Sequence, residues 1–126
     1  MHWKKFLLKL LLIKRNQTSL ISFLKKKNFI VKNFQNTPNL NEFKKSKFII
    51  LFGFREIIKE NILDKINIPI FNIHQSYLPF NRGAHPIFWS FMENTPLGVT
   101  IHEICKEVDK GKIIFRKKIK FEKKNL

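Results

Sequence analysis

The chain has 126 residues, of which 44% are hydrophobic, so it can form one small domain with a real core, and we do not expect wholesale disorder. Its formal net charge of +16 raises nucleic acid or an anionic membrane as partners. The positive charge lies in the flanks: residues 1–47 carry +11, residues 48–109 carry −2 and residues 110–126 carry +7. We therefore expect most lysines to be solvated surface, with a polyanion-binding surface as the alternative.

Strand and helix patterns alternate along the chain. Short apolar runs predict strands, and apolar residues at helical spacing predict helices. The predicted elements are a strand at 10–14, a helix at 18–27, a strand at 29–34, a helical turn at 41–45, a strand at 48–52, a helix at 56–63, a strand at 68–73, a helix at 86–93 and strands at 98–104 and 112–121. This alternation predicts an α/β fold, Rossmann-like, with a mostly parallel, doubly wound sheet, formed by residues 1–126 as a single domain.

Two details of the pattern concern burial. Trp89 lies at helical spacing with Pro86 and Met92, so we expect Trp89 in the core. The strand at 112–121 alternates apolar and basic residues, so we expect it to be half exposed.

The single cysteine, Cys105, excludes an intrachain disulfide and fits a reducing compartment. The apolar run at residues 6–13 is interrupted by Lys9 and is too short to span a bilayer. No small-residue cleavage site follows that run. We expect a cytoplasmic protein without membrane insertion.

Three loops follow predicted strands, at Gly53, at residues 72–76 and at residues 105–109, and the last two carry chemically active side chains. Ligands bind beyond the carboxyl ends of parallel strands, so we expect these loops to converge. An Asn, a His and an Asp can catalyse acyl transfer to an amine without a metal, by binding an oxyanion, moving a proton and orienting the imidazole. Because Asn72 and His74 are two residues apart on an extended segment, their side chains project to the same side. For His74 taken alone, we favour a structural interpretation, a polar residue at a strand end whose side chain is hydrogen-bonded to the backbone; the whole set of residues favours a catalytic site.

A family resemblance rests on four segments of the sequence. Residues 72–79 read Asn-Ile-His-Gln-Ser-Tyr-Leu-Pro, followed by Arg82-Gly83, by Gly-Val-Thr-Ile-His at 98–102 and by Asp-Lys-Gly at 109–111. In this order and spacing they resemble the formyltransferases that use 10-formyltetrahydrofolate, over a motif-bearing core at residues 48–115. The run at 76–90 is most similar to the sugar N-formyltransferases, and less similar to the methionyl-tRNA and glycinamide ribonucleotide formyltransferases.

The resemblance implies a reaction and its catalytic residues. A formyl group would pass from 10-formyltetrahydrofolate to a primary amine, most fittingly an amino sugar on a nucleotide carrier. His74 would stabilise the oxyanion and pass a proton to the leaving nitrogen, Asn72 would bind the same oxygen, and Asp109 would favour charged His74 and help deprotonate the amine. Methionyl-tRNA is the alternative acceptor. A non-catalytic basic binding protein on a truncated formyltransferase scaffold is the alternative of another class.

The resemblance also implies binding residues. Those expected to contact the folate lie in two loops: Phe54, Arg55, Ile58, Cys105 and Glu107. Those expected to shape the substrate side are Ser76, Arg82 and Gly83. The fork of Arg82 suits a phosphate or carboxylate, although an Arg that braces the loop fits equally.

Other expectations concern residues around the motif. No metal is expected, because the sequence has no second Cys and no His-x₃-His pair. His102 is expected to be a satisfied structural histidine. Three lysines are expected to lower the pKa of Asp109, namely Lys106, Lys110 and Lys112. A sheet face left uncovered near the end of the chain would favour a homodimer or another partner.

Overall fold

A computed structural model describes residues 9–14, 18–34, 37–53, 58–107 and 109–120. Its strands are β1 (Lys9–Lys14), β2 (Ile30–Phe34), β3 (Phe48–Phe52), β4 (Ile70–His74), β5 (Gly98–Glu103) and β6 (Ile113–Lys118). Its helices are α1 (Thr18–Lys26), α2 (Leu40–Lys44), α3 (Glu60–Leu63) and α4 (Pro86–Glu93). The predicted α/β, Rossmann-like class is confirmed.

The chain forms two compact units, residues 1–71 and 72–126, and the single-domain organisation stays a prediction. The helix predicted at 56–63 is observed only from Glu60 onward, and residues 54–57 lie outside the described part of the chain. None of the helices in the described ranges has the length and apolar character needed to cross a membrane.

The first unit is built around parallel strands. β1 lies between β2 and β3 and pairs in parallel with both. Parallel neighbours need a crossover connection, and α1 and α2 supply the two crossovers. Asn39 caps α2, because its side-chain oxygen accepts the Glu42 backbone N–H at 3.0 Å. The helix thereby presents Phe43 to the core, where it is buried with Ile49 and Leu51.

The second unit carries the motif residues. β5 pairs with β6 antiparallel, with β4 as the other neighbour of β5. Side chains alternate along β5, so Thr100 and His102 share one face, and both are completely buried. Gly98 lies on the same face, where a Cβ would come within 2.8 Å of the Tyr77 Cβ, so only glycine lets β5 approach that segment.

The burial predicted for Trp89 on α4 was wrong. The bounds of α4 agree with the prediction, yet Trp89 is 44% exposed and Met92 is 65% exposed. Helical spacing shows that residues share a face, but it does not show that a partner covers that face. The buried residue of α4 is Ser90, whose single hydroxyl proton is shared between the Asn81 side-chain oxygen at 3.0 Å and the Pro86 carbonyl oxygen at 2.9 Å.

The burial predicted for the last strand was also wrong. All six residues of β6 are exposed, including Ile113, Ile114 and Phe115, although a half-exposed strand was expected. The alternation of apolar and basic residues predicts an amphipathic strand, but the described residues bury neither the apolar nor the basic side chains of β6.

Candidate active site

The end of β4 positions two of the expected catalytic side chains. His74 is buried, and its Nε2 lies 2.8 Å from the backbone carbonyl oxygen of Asn81. A carbonyl can only accept, so Nε2 carries the proton of this hydrogen bond. The other ring nitrogen, Nδ1, lies 3.7 Å from Oδ2 of Asp109. In neutral His74 that Nδ1 holds a lone pair, which makes it the proton acceptor of the ring.

The loop between β5 and β6 supplies Asp109. Its backbone has φ 53°, a left-handed conformation that Asp tolerates better than most residues and that occurs preferentially at functional sites. Oδ2 accepts the Gly83 N–H at 2.8 Å, and Oδ1 lies 3.2 Å from Nε2 of His102. The carboxylate is therefore held from three sides, by Gly83, His74 and His102.

His102 joins Asn72 to this carboxylate. The ring is completely buried, its Nδ1 lies 2.9 Å from the Glu103 carbonyl, and its Nε2 lies 3.2 Å from Nδ2 of Asn72. The structure thus brings Asn72, His74 and Asp109 together within one unit. Through His102 they form a continuous chain, which we name the Asn72–His102–Asp109–His74 cluster.

The cluster is electrostatically complementary. Burial alone would lower the pKa of His102, but the hydrogen bond and charge of Asp109, with the Glu103 carbonyl, outweigh it and the pKa is raised. Burial alone would raise the pKa of Asp109, but His102, the Gly83 N–H and the charge of His74 outweigh it and the pKa is lowered. Both shifts favour an anionic carboxylate beside a cationic imidazole.

One of the three lysines expected to lower the pKa of Asp109 is paired with another carboxylate. Lys110 forms an ion pair of 2.9 Å with Glu107, and this pairing lowers the pKa of Glu107. The groups that lower the pKa of Asp109 are two imidazoles and a backbone amide.

The loop after β4 is fixed by hydrogen bonds to buried hydroxyls. Ser76 is completely buried and donates to the Phe80 carbonyl at 2.7 Å. Thr100 donates to the Ser76 carbonyl at 2.7 Å and accepts the Leu78 N–H at 3.1 Å. The Ser76 hydroxyl, expected on the substrate side, is therefore engaged within the protein in this structure.

Arg82 and Gly83 lie where the loop meets Asp109. Arg82 is exposed, and its Nε donates to the Asp109 backbone carbonyl at 3.4 Å. Gly83 has φ 90°, a conformation that glycine adopts without strain and that directs its N–H to the carboxylate. Both Arg82 alternatives, anion binding and loop bracing, fit an exposed guanidinium with one long hydrogen bond.

Asn81 was missed by the sequence analysis. It has φ 57°, and its side-chain oxygen accepts from the Ser90 hydroxyl at 3.0 Å and the Thr95 hydroxyl at 2.6 Å. These bonds hold the backbone carbonyl that binds His74. The one sequence signal is an Asn between two loop residues, since Asn tolerates positive φ. His102 was predicted to be a structural histidine. Its position two residues after Thr100, on the same face of a strand, was the sequence signal that it lies beside the other site residues.

The residues expected to contact folate are only partly described. Phe54 and Arg55 lie outside the described residues, and Ile58 is buried in the first unit. Cys105 is exposed, and its thiol donates to the Glu107 carbonyl at 3.2 Å. Among the described residues, no three His, Cys, Asp or Glu side chains form a group able to hold a metal ion.

Close packing requires a glycine at position 111, two residues after Asp109. A Cβ at position 111 would overlap the Glu103 carbonyl oxygen, because the returning chain lies directly against the end of β5. The Glu103 N–H donates to the Lys112 carbonyl at 2.9 Å across this contact. The glycine therefore lets the loop that carries Asp109 close over His102.

This α/β fold brings a carboxamide, two imidazoles and a carboxylate into one cluster, whose groups are able to bind an oxyanion and to move a proton. The chain belongs to the formyl transferase family, whose profile matches residues 12–125. It is 36% identical over 100 residues to the bifunctional polymyxin resistance protein ArnA of Wigglesworthia glossinidia brevipalpis, covering 77% of this chain and 15% of that protein. It is 34% identical over 73 residues to the methionyl-tRNA formyltransferase of Solibacter usitatus, covering 57% of this chain and 24% of that enzyme.

A solved structure is also similar, the formyltransferase PseJ from Anoxybacillus kamchatkensis in complex with UDP-4,6-dideoxy-4-formamido-L-AltNAc and tetrahydrofolate. The TM-score is 0.80 and the identity 35%, over 90% of this chain and 61% of PseJ. The chain therefore spans less than two thirds of each of these relatives.

Proposed function

We propose that this chain transfers a formyl group from 10-formyltetrahydrofolate to a primary amine. The observation that carries the proposal is the geometry of His74, whose Nε2 is fixed on a backbone carbonyl while Nδ1 faces a buried carboxylate. The residues fit a folate-borne formyl group chemically, because they supply a proton acceptor, an amide donor and a fixed anion without a covalent nucleophile. When bound, the folate supplies an activated formyl carbon and a leaving nitrogen.

Each residue of the cluster has a task in this proposal. His74 takes a proton at Nδ1 from the attacking amine and returns it to the leaving nitrogen. Asp109, anionic because its pKa is lowered, stabilises the imidazolium that forms in between. Asn72 donates its amide N–H to the carbonyl oxygen as negative charge develops there, a contribution of about 3 kcal/mol for one such donor.

The folate contacts remain part of the proposal. Phe54, Arg55 and Ile58 on one loop, and Cys105 and Glu107 on another, are the residues proposed to hold it. For the last two, exposure beside the loop of Asp109 supports this role.

A nucleotide-linked amino sugar is the proposed acceptor. The support is the 35% identity to PseJ, whose structure contains a UDP-linked formamido sugar. The exposed guanidinium of Arg82, beside the Asp109 backbone, suits a phosphate of such a carrier. Methionyl-tRNA is the second candidate, favoured by the identity to methionyl-tRNA formyltransferases and by the basic flanks.

Location and assembly are proposed as well. The cytoplasm fits a chain with a single cysteine, Cys105. A homodimer is supported by the exposed apolar side chains of α4 and β6 in the second unit. Sedimentation that gives the mass of one chain at all concentrations would remove the dimer from the proposal.

The acceptor experiment uses the purified chain with 10-formyltetrahydrofolate and three classes of acceptor: UDP-linked 4-amino sugars, methionyl-tRNA and simple amines. Release of tetrahydrofolate is followed, and we expect it only with the nucleotide sugars. The matched variants are His74→Ala and Asp109→Asn, with the exposed His85→Ala as control. Folded protein that transfers to no acceptor, but binds RNA with a strong salt dependence unaffected by His74→Ala, would support the basic binding protein instead.

A further inference from the structure

Two neighbours compete for one nitrogen of His102. Nε2 lies 3.2 Å from the amide Nδ2 of Asn72 and 3.2 Å from the carboxylate Oδ1 of Asp109. An amide NH₂ can only donate, so it requires a bare Nε2, whereas a carboxylate can only accept, so it requires a protonated Nε2. One nitrogen cannot satisfy both neighbours at once.

The surroundings of the ring decide which neighbour is satisfied. Nδ1 faces the Glu103 carbonyl at 2.9 Å, which also requires a proton. Within the part of the chain that the structure describes, the titratable side chains next to the His102 ring are Asp109 and His74, and the His74 ring centroid lies 6.4 Å away. A carbonyl and a buried carboxylate therefore flank the two ring nitrogens, and the doubly protonated ring satisfies both. The raised pKa of His102 agrees with this arrangement.

A proton on Nε2 has a consequence for Asn72. The two ends of a carboxamide are nearly equal in size, so a half-turn exchanges oxygen and nitrogen without other movement. With Nε2–H present, the stable orientation of Asn72 places its oxygen toward the ring. The NH₂ group then lies on the side of the amide away from His102.

We propose that His102 is a positioning residue that orients the Asn72 carboxamide through the proton on Nε2, so that the NH₂ group is free to donate to the reacting carbonyl oxygen. The inference deepens the proposed function and rests on it. His102 touches no substrate in this account. Loss of its proton turns the Asn72 oxygen outward, where it repels the developing negative charge.

A double-mutant cycle tests whether His102 acts through Asn72. Asn72→Ala should lower kcat by about 100-fold, the usual cost of one oxyanion donor. His102→Phe, which keeps the ring volume without its nitrogens, should lower kcat by about 10- to 100-fold with little change in KM. The double variant should be no slower than Asn72→Ala. Losses that multiply in the double variant would overturn the inference.

His102→Gln is the conservative variant, because its amide donates at the Nε2 position and does not titrate. We expect it to keep kcat within about tenfold of wild type and to remove the loss of kcat that follows deprotonation of His102 at higher pH. Circular dichroism spectra and melting curves identify variants that fail to fold. If His102→Phe does not fold, the pH profile of kcat for His102→Gln replaces the double-mutant cycle as the test. A kcat profile unchanged from wild type would contradict the inference.

Nitrogen-15 NMR of the His102 ring is independent of activity. At pH 6 we expect both ring nitrogens to be protonated in the wild-type chain. A bare Nε2 at that pH would overturn the inference even if formyl transfer is observed. Protonated nitrogens in a chain that transfers no formyl group would instead remove the proposed function, and with it the catalytic part of the inference.

Discussion

Asn81→Ala tests how the carbonyl that binds His74 is held in place. The substitution removes the acceptor of the Ser90 and Thr95 hydroxyl bonds, each contributing about 1 kcal/mol. It also places alanine at φ 57°, which costs about 1 kcal/mol more than Asn. The bond to the exposed Glu93 carboxylate adds little. We therefore expect the free energy of unfolding to fall by about 3 kcal/mol, and the melting temperature by about 10 °C.

The assay is urea unfolding followed by circular dichroism, with two matched variants. Asn94→Ala removes an exposed Asn at φ 54°, so it should show the backbone cost alone, about 1 kcal/mol. Asn81→Gly relieves the backbone but loses the same hydroxyl bonds, so it should cost about 2 kcal/mol. If Asn81→Ala is no more destabilising than Asn94→Ala, the hydrogen bonds do not hold this loop and the reasoning is refuted.

Three further predictions use the same unfolding assay. Gly111→Ala should lower the free energy of unfolding by more than about 3 kcal/mol, because its Cβ would meet backbone atoms. Gly53→Ala, where a Cβ has open space, should cost only about 1 kcal/mol for its φ of 63°. Equal costs would contradict the close approach of the chain at Gly111. Met92→Ala, at an exposed position, should change the free energy of unfolding by less than about 0.5 kcal/mol. Leu78→Ala should cost about 3 kcal/mol, because the Leu78 side chain is only 2% exposed. A reversed order would contradict the burial of these two residues. The pKa of His102 is raised above 6.5, so the wild-type chain should gain free energy of unfolding relative to His102→Gln as the pH falls through that raised pKa. The gain should persist below pH 6.5, where the ring is protonated in the unfolded chain as well. A difference between the two chains that does not vary with pH would contradict the raised pKa.

The sequence predicted those features that depend on local pattern. The apolar run of β3 and the Pro-initiated α4 have the predicted bounds, and residues 72, 74 and 109 are brought together as expected. Alternation on an extended strand and loops at strand ends were sufficient for these predictions.

The remaining features depend on partners that a local pattern does not contain. The exposure of Trp89 follows from the absence, among described residues, of a cover for that face of α4. The roles of Asn81 and His102 depend on contacts seven and thirty residues away along the chain, with His74 and Asn72. A side chain that acts through another residue carries no chemical signal of its own, so only the folded geometry reveals it.

The most direct measurement follows a carbon-13 label from the formyl group of 10-formyltetrahydrofolate onto the acceptor nitrogen, by NMR. The wild-type chain and the His85→Ala control should both move the label to the amine of a nucleotide-linked amino sugar. His74→Ala, folded to the same extent, should leave it on the folate. Transfer at an undiminished rate by His74→Ala would contradict the claim that this imidazole, set between the Asn81 carbonyl and the Asp109 carboxylate, carries the proton of the reaction.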